Sequence, residues 1–473
     1  MLTLKKVSAD ESLDFDGSTL RSIAHFPIEA DGIYDLNSSC LILPTTITTD
    51  AGAVNNVSLK YRPQVLVKNC RFSTTRAGIL EEMTHNNFRN VNLEKFTRST
   101  AQNQAESYFD GVNYVDEFSN NYSSFRDLHR EGDTASVENR PELRVPLREL
   151  FPGICSMPQY PSFKLGKATV RVEFQAGDGM LEEHRRYTDH AESSLDCDDV
   201  DATGGAAADV NELVLTESYA SDKEIPLWVG QKLSVAYKIG GSSGVNDVVI
   251  SKIDRNTGSG VVSLTISTLD TTADKVEDIT IIEKASSSLS YTIEQPKLLL
   301  YQVKPTPSQM ESARKKLSNA SIPYRTWSLE QDNLSVTSEF NRQYYLEPNC
   351  SNAVMFFQPP QVDGNEQMDS TSDNLTSFRC SLNQIDLTNT DVNCAPSSAL
   401  YLDRALWTIT NCGLPLRKLT NPPKCVLNPV PRVESSQQYS VQLKGADIGA
   451  CNVHLYKQLN RVLKISKNQV QVR

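Results

Sequence analysis

Apolar residues at Ala168, Val170, Val172 and Phe174 alternate with Thr169, Arg171 and Glu173, a period of two that predicts a strand with one buried and one solvated face. Short apolar runs at Ile23, residues 41–43 and residues 65–67, separated by Asp-Gly, Thr-Thr-Asp-Ala-Gly and Val-Asn-Asn-Val turns, predict an antiparallel sheet over residues 1–68. The same texture returns late in the chain at residues 344–346, 354–357, 378–382, 441–443 and 453–459. Ahead of residue 168, Pro146, Pro152, Pro158 and Pro161 remove backbone donors, so residues 140–167 read as an ordered connection rather than strand or helix.

Three stretches break the strand pattern. Residues 78–111 look helical and aromatic, with Phe88, Leu93, Phe96, Tyr108 and Phe109, and predict one or two helices inserted between strands. Thr306-Pro307-x-Gln309 carries an N-cap, a proline at the first helical position and a glutamine placed for a capping box, predicting a helix to about residue 317. Leu402, Leu406 and Ile409 share a helical face, with Ser397 or Ser398 to cap it and Gly413 to end it. Polar residues 114–138 read as a surface excursion.

Two echoes suggest that the chain contains two like units. Residues 146–150, Pro-Leu-Arg-Glu-Leu, match residues 415–419, Pro-Leu-Arg-Lys-Leu, and Leu300-Tyr301-Gln302 matches Leu455-Tyr456-Lys457. The echoes are 155 residues apart in the first unit and 41 in the second, so the first carries an insertion of about 114 that hides the repeat from any fixed-period search. Composition changes near Gly177 and back near Ser288, in keeping with this. Residues 177–209 read as a linker; after it, alternating runs around Val235, Val248, Leu264 and Ile281, joined by Gly-rich turns, predict a small β-barrel or sandwich. The predicted layout is residues 1–305 as one unit carrying a β-module at about 205–287, and residues 306–473 as a second.

At 473 residues and 39% hydrophobic, rich in Thr, Ser, Asn and Val, the chain fits an all-β protein with half-solvated sheets. A net charge of −11 argues against non-specific attraction to nucleic acid or an anionic membrane, and a genome-binding role, including direct sequence-specific nucleic-acid binding, is not expected. No apolar run is long enough to span a membrane and the first residues lack a signal-peptide core, so folding in a reducing compartment is expected, with the ten scattered cysteines acting as small buried residues.

Candidate chemistry is sparse. His184 and His190 precede Cys197 and the acidic residues Asp196, Asp198, Asp199 and Asp201, but their spacing fits neither a zinc site nor a calcium loop, and a solvated linker is the preferred reading. Tyr344-Tyr345 and Phe356-Phe357 could form a ligand platform, although strand spacing favours core. No nucleophile elbow, phosphate-binding loop or zinc-protease pattern is present. The chain is accordingly read as a non-enzyme, with no catalytic, cofactor-binding or metal-binding residue put forward and no cofactor.

Several segments together carry a family resemblance. They are Gly-Ile-Leu-Glu-Glu at 78–82, Ala-Glu-Ser-Tyr-Phe-Asp-Gly at 105–111, residues 144–152 (RVPLRELFP), residues 288–301 (SLSYTIEQPKLLLY), residues 399–419 (ALYLDRALWTITNCGLPLRKL) and residues 453–459 (VHLYKQL). In these the chain resembles the double jelly-roll major capsid proteins of polinton-like viruses, virophages and adintovirus-type elements. The resemblance implies two tandem jelly-roll β-sandwiches with short helical excursions and an inserted small β-module. It also implies a homotrimer that forms a pseudo-hexagonal capsomer of an icosahedral double-stranded DNA virus shell. Neighbouring capsomers, penton and minor capsid proteins, and an internal membrane beneath the base loops are its implied contacts, and the virion its location. The alternative is a multi-domain β-sandwich fibre, baseplate or carbohydrate-binding protein, suggested by the Gly-rich module and the paired aromatics; a hydrolase would need two carboxylates or both histidines in one pocket.

Overall fold

The computed structural model describes residues 2–472 except 9–14, 17–22, 50–55, 60, 99–113, 116–121, 124–141, 158, 176–179, 185–193, 202–209, 219–231, 240–241, 257–258, 270–274, 283–288, 362–366, 369, 371–373, 396, 415, 417–423, 432 and 467–468. The strand Ala168–Phe174 buries alternate residues as its period dictates. It pairs with Ile23–Ile28 on one side and Val67–Thr74 on the other, and Gly78–Met83 completes a four-stranded antiparallel sheet. The facing sheet is built on Ile33–Thr49. Leu41 pairs with Leu298 of Lys297–Val303 on one edge and with Val145 of Glu142–Pro146 on the other, and Leu2–Ser8 lies outside Lys297–Val303.

The second half repeats this plan. One sheet runs Ala320–Leu334, Cys451–Ile465, Cys350–Gln358, Val426–Pro429; the other runs Thr337–Leu346, Gln437–Ile448, Leu375–Leu382, with Ile385–Asp386 and Val392–Asn393 at its edge. Leaving out the short strands and the segment between Phe174 and Lys297, each half opens with four strands (Leu2–Ser8, Ile23–Ile28, Ile33–Thr49 and Val67–Thr74; Ala320–Leu334, Thr337–Leu346, Cys350–Gln358 and Leu375–Leu382) and closes with two (Ala168–Phe174 and Lys297–Val303; Gln437–Ile448 and Cys451–Ile465). In both, the last lies between the first and the third and the one before it between the second and the fourth. The Leu-Tyr echo falls on that last strand in both cases: Tyr301 faces Leu4 and Asp35, and Tyr456 faces Leu329 and Val354.

The halves differ where the last two strands join. In the second, Gln437–Ile448 and Cys451–Ile465, which belong to different sheets, are joined directly by residues 449–450; in the first, the corresponding connection from Phe174 to Lys297 holds the small module. The module runs Ser194–Asp196, Lys275–Ile282, Lys232–Ile239, Ser242–Arg255, Val262–Leu269, Val210–Val214, and a bridge between Cys197 and Leu215 closes it into a barrel. Its core, including Val235, Val248, Leu264 and Ile281, is separate, whereas both sandwiches share one continuous apolar core. The stretch read as linker thus supplies a barrel strand, and Leu181–His184 pairs with Asn56–Leu59.

The expected connection over residues 140–167, neither strand nor helix, is only partly found. Glu142–Pro146 is a strand against Ile33–Thr49, as an edge strand can hold Pro146 at its end. After it come a helical turn at Leu147–Leu150, a 3-10 turn at Ile154–Ser156, a short pairing at Tyr160–Pro161 and a helical turn at Ser162–Leu165. Leu147, Leu150, Phe151 and Ile154 are fully buried. In chain order the Pro-Leu-Arg echo falls between Asn86–Thr97 and Tyr160–Pro161 in the first half and between Ala399–Asn411 and Val426–Pro429 in the second, and those following segments pair with Ile33–Thr49 and Cys350–Gln358 respectively. Of the second copy, Leu416 is described and packs partly buried on the core.

The helix expected over residues 78–111 is shorter than its texture suggests. Gly78–Met83 is a strand, because pairing with Val67–Thr74 overrides the local preference of Leu-Glu-Glu-Met, and only Asn86–Thr97 is helical among the described residues. Residues 105–111 lie outside the described residues, as does most of the excursion at 114–138. Pro307–Lys316 has the expected capping box, with Gln309 N–H donating to Thr306 Oγ1 and Thr306 N–H to Gln309 Oε1. Ala399–Asn411 is capped by Ser398, and Gly413 follows in the left-handed region at φ 76°. Its buried face is not the one expected: Tyr401, Ala405, Thr408 and Ile409 face inward, while Leu406 is 46% exposed. The tether is the Tyr401 hydroxyl, which accepts the Cys425 N–H at 3.1 Å.

Phe72 is fully buried and meets Phe151 and Tyr160 edge to face at 5.7 and 5.3 Å, linking a sheet to the proline-rich connection. Phe72→Ala is expected to lower stability by about 3–5 kcal/mol, read as a shift in the denaturant midpoint; a change below about 1 kcal/mol contradicts this packing.

Candidate functional site

The helix Asn86–Thr97 lies at the seam between the sandwiches and is buried on both its apolar and its polar residues, with Asn86, Asn87, Arg89, Asn90 and Asn92 joining Phe88, Leu93 and Phe96. Buried amides need partners. Asn92 Nδ2 donates to Phe88 O and Met368 O, and its Oδ1 accepts the Ser370 N–H at 2.9 Å, which ties the first sandwich to the loop after Cys350–Gln358. Asn87 Nδ2 donates to Gln175 Oε1, and Asn90 Nδ2 to Glu149 O.

Other bonds cross the same seam. Tyr456 Oη donates to His85 O at 2.8 Å, and Tyr324 Oη to Leu80 O at 3.1 Å. Phe88 sits 4.9 Å from the His454 ring and 6.3 Å from Phe356. Gly153 approaches the Arg325 backbone so closely that a Cβ there would lie 1.9 Å from Arg325 O. The N–H groups of Gly153 and Ile154 donate to the two carboxylate oxygens of Glu81, whose burial raises its pKa to about 7.

His454 is fully buried beside this seam. Gln331 Nε2 is a donor, so His454 Nδ1 accepts from it; Nε2 then carries the proton and donates to Gln358 Oε1 at 2.9 Å. A neutral ring satisfies both partners and a second proton would face an amide donor. Burial first, then His85 and Lys68, hold its pKa down to about 3.

Beside the seam helix opens a cleft of about 880 Å³, lined by both sandwiches. Its wall carries Arg62, Arg89, Arg98, Arg148, Arg325 and Arg461, against the carboxylates Glu94 and Glu149. Arg62 pairs with both carboxylates, at 2.7 and 2.9 Å. Arg148 and Glu149 were noted from sequence only as part of an echo, and none of these residues was put forward as a site, since six arginines spread over about 400 positions carry no local signal.

The candidates that sequence did suggest are not brought together. His184 ends its strand opposite Asn56, and His190 lies outside the described residues. Cys197 is buried in the barrel, and burial, with Asp196 and Asp198 beside it, pushes its thiol up to about 12. Asp196, Asp198 and Asp199 accept hydrogen bonds from Thr280, Thr216 and the Asp278 N–H. Among the described residues no group of three or more His, Cys, Asp or Glu could hold a metal ion. Phe356, Phe357 and Tyr344 are core, and Tyr345 is exposed.

The sequence matches no family model and no curated protein. Among solved structures, the Faustovirus major capsid protein aligns over 98% of this chain and 90% of its own length, at 10% identity and a TM-score of 0.53. The chain is a double jelly roll. The PBCV-1 protein VP54 (9% identity, TM-score 0.46, covering 100% of this chain and 96% of its own) and the mavirus major capsid protein (6%, 0.42, covering 100% and 90%) are more distant. The double jelly roll explains why the seam matters: the mutual angle of its two sandwiches is held by the bonds just described.

Two measurements check this seam. Asn92→Ala strands the Ser370 N–H and the Met368 carbonyl, and is expected to cost about 2–4 kcal/mol in thermal or denaturant unfolding. For His454, the unfolded chain takes a proton near pH 6.5 and the folded chain only near 3, so its contribution is complete above about pH 6.5 and is lost as pH falls toward 3. His454→Gln should be less stable than the parent at pH 7.5, with the gap narrowing below pH 6.5 by up to about 1.4 kcal/mol per pH unit. Because Glu81 is common to both proteins, its opposite pH dependence cancels in that difference; a gap constant from pH 7.5 to 4.5 refutes the assignment.

Proposed function

We propose that this double jelly roll is a major capsid protein, which assembles as a homotrimer into pseudo-hexagonal capsomers of an icosahedral double-stranded DNA virus shell. The single observation that carries the reading is the repeated strand order of the two sandwiches within one chain, shared over nearly the full length with the Faustovirus major capsid protein. Two like units per chain let a closed threefold ring present six similar wedges, so three identical subunits can tile a surface that demands sixfold neighbours. Residues 1–305 are the first unit, with the module at about 205–287 as a projecting lobe, and residues 306–473 the second. Neighbouring capsomers, penton and minor capsid proteins are the partners on this reading, with a membrane beneath the base as a further contact, and the virion is its location. Its work is assembly rather than catalysis.

The chain carries an apolar surface suited to such contacts. Leu400 and Trp407 are two turns apart on one face of Ala399–Asn411, and Trp407 is 58% exposed. A large aromatic with leucines, left in water on the outer face of a helix whose inner face packs on the core, is the composition of an interface anchor.

Size-exclusion chromatography with light scattering is expected to give a trimer near three times 52.6 kDa, and negative-stain images a threefold object with a hexagonal outline. Trp407→Ser should leave the monomer fold intact by circular dichroism and weaken trimers or arrays at least about tenfold in concentration dependence. A parent protein that stays monomeric at all concentrations and forms no particles or arrays refutes the capsid reading.

A further inference from the structure

We propose that the arginine-lined cleft at the seam is a binding site for a compact oligophosphate anion, held by residues of both sandwiches. Among the described residues the lining has six arginines against two glutamates, with no lysine or aspartate, in a chain whose net charge is −11. Both glutamates already engage Arg62, so the remaining guanidinium charge is concentrated in a low-dielectric recess where field lines focus.

Arg89 is an independent observation pointing the same way. It is 3% exposed and lines the cleft. Its Nη2 donates to Asn86 Oδ1 and Asn90 Oδ1 at 2.9 and 2.8 Å, and its guanidinium stacks 5.2 Å from the Trp327 ring, while Nε and Nη1 have no acceptor. The nearby Glu81 carboxylate is occupied by two backbone N–H groups. A buried cation with unmade hydrogen bonds and no ion pair to any described carboxylate is costly, and an anion entering the cleft relieves that cost. Burial lowers the Arg89 pKa to about 10, which leaves it charged at neutral pH.

The remaining cations are spread around this fixed one. Arg148 comes from the turn after Glu142–Pro146, Arg325 from Ala320–Leu334 and Arg461 from Cys451–Ile465, all less buried than Arg89. Several separated guanidiniums match an anion with several charged groups of many acceptor oxygens better than a single carboxylate. The volume suits a ligand of that size. Because Arg89 and Arg148 belong to the first sandwich and Arg325 and Arg461 to the second, the bound anion braces the seam.

Tripolyphosphate titrated into the full chain, by calorimetry and by thermal melting, tests the proposal. Saturable binding is expected, with a melting temperature that rises with ligand concentration beyond any effect of sodium chloride at matched ionic strength. Arg148→Gln combined with Arg461→Gln, both on the more exposed part of the wall, should weaken binding at least about tenfold without altering the unliganded melt. Arg89→Met should abolish the ligand-induced shift; if that variant does not fold, the double variant decides. No saturable binding above the salt control, or unchanged affinity in the double variant, overturns the proposal.

Discussion

Everything else in this double jelly roll depends on how a polar helix is buried between two sandwiches. Asn86–Thr97 brings four asparagines and an arginine into a place where water cannot satisfy them, so each must find a partner of fixed direction. Apolar packing alone would let the sandwiches slide by small amounts, because dispersion contacts are non-directional. Amides are less forgiving. The pair of bonds from Asn92 to Met368 and Ser370, together with those from Tyr456 and Tyr324 to backbone carbonyls, select one register between the halves.

Glycine contributes where the chains come closest. At Gly153 no side chain fits between the turn and the Arg325 backbone, so the proline-rich connection of the first sandwich can lie directly on the first strand of the second. The anchoring of that connection by Glu81 completes the contact. The barrel is organised differently: it has its own core and hangs from a connection that in the other half is only residues 449–450. The insertion lies in the crossing from one sheet to the other, between Ala168–Phe174 and Lys297–Val303, so it interrupts no strand pairing and a whole folding unit is accommodated there without disturbing either sheet.

A rigid seam is what assembly of two-unit subunits demands. A ring of three subunits can imitate sixfold packing only if the angle within each chain matches the angle between chains, and errors in that angle accumulate around the ring. Directional hydrogen bonds are suited to this task, and the cleft beside them offers a place where a bound anion would stiffen the same joint. On the proposed capsid reading, the fold connects a local polar network to a property of the whole shell.

How much of this could be read from the chain depends on the range of the physics. The period-two alternation at Ala168–Phe174, the capping box at Thr306 and Gln309 and the stop at Gly413 are local, and each appears where the residues imply, whereas Glu142–Pro146 is a strand despite its proline because its partner Ile33–Thr49 lies about a hundred residues away. The Leu-Tyr echo exposed the repeat because both copies occupy the same place in a sheet. Other elements were illegible for an equally physical reason. Ala320–Leu334 reads as polar because it is an edge strand paired along its whole length to one neighbour, and Gly78–Met83 looks helical until its partner is known. The inner face of Ala399–Asn411 was chosen by the Tyr401 tether rather than by its leucines. Sequence by itself determined the strands, the caps, the repeat and the presence of an inserted unit, since these follow from neighbours a few residues apart. The tertiary structure alone decided which asparagines would be buried, which arginines would meet in one cleft and which face of a helix would be left in water, because those outcomes depend on residues hundreds of positions away.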